Sequence, residues 1–378
     1  MATISTLSID TGHKDKAISP QTPTSQTSLT PPVTPIAGEN SIQTARKVPL
    51  YFTDDLQICY DNEKPVEFGR GAWSTVYKAK ATLTAPTPVS APRILTPPSS
   101  PLSSPVAASS VFAVKVPTRR DARAVLQAEA ITLTHLNLTL GHERYVVPFF
   151  GYHSDSGALV MAAVPRPLST YIEDEADLIR KRQVTTSTMF DPILGPESWK
   201  DLARKLISGL SWLHHTAGII HGDIKPHNIL LRPIQATMDA GAFPFDPVFA
   251  DFSSAMEIPS KGTDQDTSRS AMAASTPPFT APELLSLSEE LPTPASDVFS
   301  LAATLLAAAT GDLLLYPGSS NMQRLAMARD GHQIIEFVRA GANGVRVPRG
   351  GFVEKLIRQA VCKDPAKRID AKEWLLAA

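Results

Sequence analysis

The stretch His221-Gly-Asp-Ile-Lys-Pro-His-Asn-Ile-Leu-Leu231 decides how this chain reads. It places an acid at Asp223, a cation at Lys225 and an amide at Asn228, with an apolar run at once behind. A carboxylate that orients a hydroxyl, a cation beside a moving phosphate and a hard oxygen ligand for Mg²⁺ are the groups phosphoryl transfer needs. Six residues supply all three.

The surrounding chain gives this segment a context. Beyond Asn228, after Pro247-Val-Phe-Ala250, comes Asp251-Phe252-Ser253, and further on TPPFTAPELL carries Ala281-Pro282-Glu283. Upstream, EFGRGAWSTVYKAKA sets out Gly69, Arg70, Gly71, Ser74 and Val76. VFAVKV then places Ala113 and Lys115 in an alternating, β-branched pattern that reads as a strand. Glu129 lies in AVLQAEAITLTHL, whose apolar spacing reads as a helix.

In this order and spacing the segments resemble the eukaryotic protein kinases of the serine/threonine type. HGDIKPHN is similar to the family's H-R-D-x-K-x-x-N loop, DFS to its D-F-G and APE to its A-P-E, behind a G-x-G-x-x-G-x-V loop. A glycine-rich loop alone would be weak evidence, because glycines also mark ordinary turns; the ordered set is specific. The resemblance implies an α+β, two-lobed fold: a small antiparallel sheet with one helix over about 50–164, and a mainly helical large lobe over about 165–376.

It also implies roles. Asp223 would accept or orient the substrate hydroxyl, and Lys225 would neutralise the transferring phosphate. Asn228 and Asp251 would ligate Mg²⁺, and Lys115, paired with Glu129, would hold the ATP phosphates. Met161 would stand at the gatekeeper position, with backbone groups of Ala162 and Val164 facing the adenine and Leu230 beneath it. His221 would pack in a spine with Phe252, Leu133 and Phe149. Asp297 would hold the catalytic-loop backbone, Glu283 and Arg368 would form a buried ion pair, and Thr276 with Lys225 points to serine/threonine hydroxyls. His227 replaces a residue that in the family often meets a basic substrate side chain.

Three departures qualify the resemblance. Ser74 and Ser253 stand where the family has glycines, and Ser253 should restrict the backbone after Phe252. Gly222 replaces the arginine that in the family receives an activation-loop phosphate, and Met272 stands four residues before Thr276, a usual acceptor position. Arginine and acceptor are missing together, so activity independent of activation-loop phosphorylation is expected, although Ser268 and Ser270 remain in that segment. Gly222 also matches the H-G-D-x-x-x-x-N loop of aminoglycoside and choline kinase-like phosphotransferases. Lys225, the segment leading into Ala281, Asp297 and Arg368 argue instead for a protein kinase. A pseudokinase scaffold is the remaining alternative, against which stand Lys115, Asp223 and Asp251.

Composition sets the outer bounds. A net charge of −1 over 378 residues gives no global pull toward nucleic acid or an anionic membrane. Two cysteines cannot build a disulfide framework, and the first residues lack a signal-length apolar core. We read this as a cytoplasmic or nuclear protein whose partners are protein substrates. The apolar run Ser300–Tyr316 is interrupted by Gly311 and Asp312, which suits a buried helix rather than a membrane span.

Residues 1–47 and about 83–109 are rich in Ser, Thr and Pro, compositions that cannot bury enough surface to order themselves. The second stretch interrupts two strands usually joined by a short hairpin, and is expected beside the phosphate loop. Ser19, Thr22, Thr30, Thr34, Thr87, Thr96, Ser100 and Ser104 each precede proline, the pattern that proline-directed kinases act on.

Overall fold

A computed structural model describes residues 48–81, 111–181, 188–234, 241–259, 277–286 and 290–378. The tail at 1–47, the Pro-rich stretch, and Ser268, Ser270, Met272 and Thr276 lie outside the described residues.

The first half builds a six-stranded antiparallel sheet from β1 (Leu56–Ile58), β2 (Glu67–Arg70), β3 (Ser74–Ala81), β4 (Val111–Pro117), β5 (Phe149–His153) and β6 (Ala158–Ala162). β1 and β2 pair in succession along one edge of β3, and the order across the sheet is then β3, β4, β6, β5. Helix α1 (Ala122–Asn137) packs on this sheet. Its apolar spacing buries Leu126, Ala130, Leu133 and Leu136 together, and Glu129 falls on the same buried face.

The register of β3 against β4 corrects one expectation. Lys80 lies opposite Val111, so residues 82–110 leave and return at that end of the hairpin. The glycine loop sits at the other end, beyond Ser74, and eight strand residues at about 3.3 Å each separate the two by roughly 23 Å. The insertion is therefore rooted near the Phe112–Ala162 pairing rather than beside the phosphate loop.

Beyond Val164 the chain is mainly helical, as the sequence pattern implies. Helices α2 (Leu168–Lys181), α3 (Pro196–Trp212) and α4 (Pro294–Thr310) carry the large core. The α3 stripe Trp199, Leu202, Leu206 and Leu210 is buried throughout. α4 is buried on every side from Ser296 to Thr310, and Thr293 and Ser296 close a reciprocal cap at its start. Among the described residues, no helix is long and apolar enough to cross a membrane.

Two short ladders present the loops between the helices. β8 (Ile229–Pro233) pairs with β9 (Phe245–Phe249), which places Asn228 beside Ala250. β10 (Met256–Glu257) pairs with β7 (Ile219–Ile220), which brings the chain just after Phe252 alongside His221. The fold is the α+β, two-lobed architecture expected from the resemblance.

Candidate active site

A cavity of about 450 Å³ lies between the sheet and the helical half. Gly69, Arg70, Gly71, Ser74 and Val76 line its roof, Ala113, Lys115 and Glu129 its back, and Met161, Ala162 and Val164 one side. Lys225, Asn228, Leu230 and Asp251 reach it from the helical half. Residues from Gly69 to Asp251 thus converge on one space.

Lys115 is the junction. Its Nζ donates to both oxygens of Glu129, at 2.9 and 2.7 Å, and to Asp251 Oδ1 at 2.7 Å. Strand alternation turns Lys115 inward from β4, and α1 brings Glu129 to it from behind. Burial disfavours the ammonium, but the two carboxylates outweigh that and raise its pKa above the ordinary lysine value. Burial pushes the Asp251 carboxyl up, but the charge and hydrogen bond of Lys115 together with the Ser253 hydroxyl outweigh it and hold the group below the usual carboxylate range. Glu129 is pushed up, first by burial, with Lys115 opposing.

Asp251 is fixed by more than the lysine. Its φ is +62°, and Ser253 Oγ donates to its Oδ1 at 2.8 Å. The left-handed backbone thus sits on the aspartate, while Ser253 is outside that region. The expected loss of freedom at Ser253 has little consequence here, and its hydroxyl adds a contact that a glycine lacks. Phe252 N–H donates to Glu129 Oε1 at 3.1 Å, and the Phe252 ring lies 4.7 Å from that of His221. Leu133 and Phe149 are buried in the same apolar cluster.

The catalytic-type loop is held from below. Asp297, 1% exposed at the start of α4, accepts from His221 N–H at 2.7 Å and Gly222 N–H at 3.0 Å. His214 Nε2 stands 3.1 Å from the same carboxylate. His221 Nδ1 accepts from Asp223 N–H, so its Nε2 carries the proton and donates to Ala250 O at 3.1 Å. His221 thereby ties the Asp223 loop to the strand leading into Asp251.

Gly222 has φ +78°, and a Cβ there would stand 2.5 Å from Ser254 O. The backbone after Ser253 has closed over a position that only glycine leaves open.

Asp223, 9% exposed, accepts from Lys225 Nζ at 2.7 Å and Asn228 Nδ2 at 2.9 Å. Burial raises its pKa, with Lys225 pulling the other way, and a raised carboxylate is a better proton acceptor. Asn228 Nδ2 also donates to Asp223 O, which directs the opposite end of the amide, Oδ1, away from that carboxylate. His227 sits beside Lys225, and burial, then Lys225, lowers its pKa.

The donor set suits a nucleotide with Mg²⁺. A Cβ on Gly69 would meet nothing within 4 Å, and one on Gly71 only Ser74 O at 3.9 Å, so the roof's own packing requires neither glycine. Among the described residues no three His, Cys, Asp or Glu side chains cluster as a cation cage. Asn228 and Asp251 on one cavity wall instead match the way Mg²⁺ takes few protein oxygens and completes its shell with phosphate and water. At the side wall, Ala162 N–H is already taken by Pro148 O at 2.9 Å.

Away from the cavity, Arg368 grips Glu283 through two parallel bonds of 2.6 and 2.7 Å and also donates to Ala295 O and Cys362 O. Thr276 lies outside the described residues.

Reading from the residues alone missed the Ser253–Asp251 bond and the Gly222–Ser254 approach. Two departures from one motif pattern, Gly222 and Ser253, were the available signal for both.

Comparison with known proteins agrees with this geometry. The protein kinase domain family matches residues 106–377. The serine/threonine-protein kinase ISR1 of Saccharomyces cerevisiae is 29% identical over 50% of this chain and 42% of its own. PknK of Mycobacterium tuberculosis is 39% identical over 31% of this chain and 9% of its own, and GRIK2 of Arabidopsis thaliana 29% over 47% and 38%. The chain thus spans less than half the length of each of these relatives. With most of its length matched and the motif residues gathered in one cleft, the chain belongs to the protein kinase family.

Proposed function

We propose that this protein transfers the γ-phosphate of ATP, with Mg²⁺, to serine or threonine hydroxyls of protein substrates. One observation carries the reading: Lys115, linked to Glu129 and Asp251, shares a single cavity with Lys225 and Asn228, both of which are bonded to Asp223. The relatives named above are serine/threonine kinases, which supports the same class of acceptor. The kinase domain would run over about 50–376.

The roles divide by charge and position. Lys115, kept charged by its two carboxylates, would bind the α- and β-phosphates under the Gly69–Ser74 roof. Asn228 and Asp251 would hold the cation, which supplies charge neutralisation at the phosphate oxygens. Asp223, with its raised pKa, would orient the hydroxyl and take its proton, while Lys225 would offset charge on the moving phosphoryl group. Met161 would bound the base pocket, with Ala162 and Val164 offering backbone groups and Leu230 the floor.

Activity would need no activation-loop phosphate, since Gly222 offers no cation to receive one. Proline-directed kinases acting on the tail and on the insertion at about 83–109 would be upstream partners, and a cytoplasmic or nuclear setting fits the composition.

The test is ATP turnover on a peptide array with and without Mg²⁺, using wild type, Lys115→Met, Asp223→Asn and Asp251→Asn. Turnover should require Mg²⁺, fall at least a hundredfold in each variant, and leave the circular dichroism spectrum unchanged. Near wild-type rates in Asp223→Asn would refute the assignment.

A further inference from the structure

Trp73, at the tip of the glycine loop, takes no part in the roles above. Its ring is half-buried against the core, and the Arg119 guanidinium lies 4.3 Å from the ring centroid. Arg119 Nε in turn meets Asp121 Oδ1 at 2.9 Å. Asp121 is the residue before α1, the helix that carries Glu129, and its carboxylate makes no cap on that helix. The loop backbone is anchored beside this chain of contacts: Thr118 N–H donates to Trp73 O at 3.0 Å, and Gly71 N–H to Ser74 O at 2.8 Å.

We propose that Trp73 and Arg119 form a latch that positions the phosphate loop relative to α1, which makes Trp73 a positioning residue for ATP. The inference rests on the ATP reading and extends it. Beyond its backbone bonds the loop's side chains restrain it little: Arg70, Gly71 and Ala72 are exposed, and Arg70 is paired back to Glu67 on its own strand. A loop of this kind would otherwise open readily, because exposed backbone with few apolar contacts has low local stability. The ring-and-cation stack supplies a contact across the gap, and Asp121 orients the guanidinium. Arg119 and Asp121 side chains are 54% and 62% exposed, so their ion pair contributes little and the stack carries the latch. The helix that sets Glu129 against Lys115 would thus also set the height of the roof above it.

Two measurements test this. In nucleotide-free protein, backbone hydrogen exchange across residues 69–76 should quicken roughly two- to fivefold in Trp73→Leu and Arg119→Ala, the factor expected for a half-exposed cation–π contact. Arg119→Lys should recover most of the protection, and peptides from α3 and α4 should exchange as in wild type. In turnover, KM for ATP should rise by a similar factor while kcat stays within about twofold. Unchanged loop exchange in Arg119→Ala alongside normal use of ATP by wild type would sink the latch alone, and uniformly faster exchange throughout the sheet would reduce Trp73 to a packing residue and sink it too. A wild-type protein that takes up no ATP would remove the nucleotide reading, and with it the catalytic half of the proposal.

Discussion

Replacing Gly222 with alanine adds one methyl group at the point where the catalytic-type loop meets the chain beyond Asp251. Two costs follow. The first is conformational, because φ is +78° and an L-residue in that region costs about 1–2 kcal/mol. The second is steric, because the added Cβ would stand 2.5 Å from Ser254 O, a backbone atom. Ser254 cannot simply retreat: Ala255 N–H is bonded to Phe252 O at 3.1 Å, and Met256 and Glu257 pair with Ile220 and Ile219. Displacing that turn should cost a further 1–2 kcal/mol or so, the scale of overpacking in a close-packed site. Gly218→Ala is the control, with φ +68° and nothing within 4 Å of its Cβ, so it carries the first cost alone. Urea denaturation of both variants should show Gly222→Ala less stable than Gly218→Ala by about 1–2 kcal/mol. Phosphotransfer by Gly222→Ala should fall as well, since Asp251 lies on the displaced segment. Equal stability of the two variants would refute the argument.

Other outcomes follow from the same geometry. The acid limb of kcat/KM should fall above the ordinary aspartate value of 3.8, because burial raises the pKa of Asp223 and the protonated form cannot accept a proton; a limb at or below that value would count against Asp223 as the base. Asp251 has the opposite sign: its folded pKa is depressed, so the stability it contributes is present above the unfolded value and is lost as pH falls below it. Asp251→Asn should therefore flatten the acid unfolding profile between about pH 4 and pH 2, followed by fluorescence. Phosphatase treatment should leave turnover unchanged, and a large loss would overturn phosphate-independent activity. Deleting residues 84–108 should leave a folded, active protein, because the deletion spans adjacent strand ends at Lys80 and Val111; an unfolded sheet would show that the segment is structural.

The sequence by itself determined the family, the fold class and many of the residues that line the cavity. Those features reside in short strings whose residue types the chemistry dictates: Asp223, Lys225 and Asn228 within one loop, Asp251 after an apolar strand, and Lys115 in an alternating pattern. Burial of α4 and of the α3 stripe was legible for a related reason, since helical periodicity states which faces are apolar. Tertiary structure decided what lies between distant segments. That Lys115 is shared by Glu129 and Asp251 depends on how α1 seats on the sheet. Ser253 reads from sequence as a missing glycine, yet its hydroxyl donates to Asp251, whose own backbone carries the positive φ. Gly222 reads as a missing arginine, but its conformation and the closeness of Ser254 follow from the pairing of β7 with β10, a contact between segments more than thirty residues apart. The root of the 82–110 segment moved away from the phosphate loop for the same reason: strand register, which no local string encodes, sets which end of a hairpin an insertion leaves.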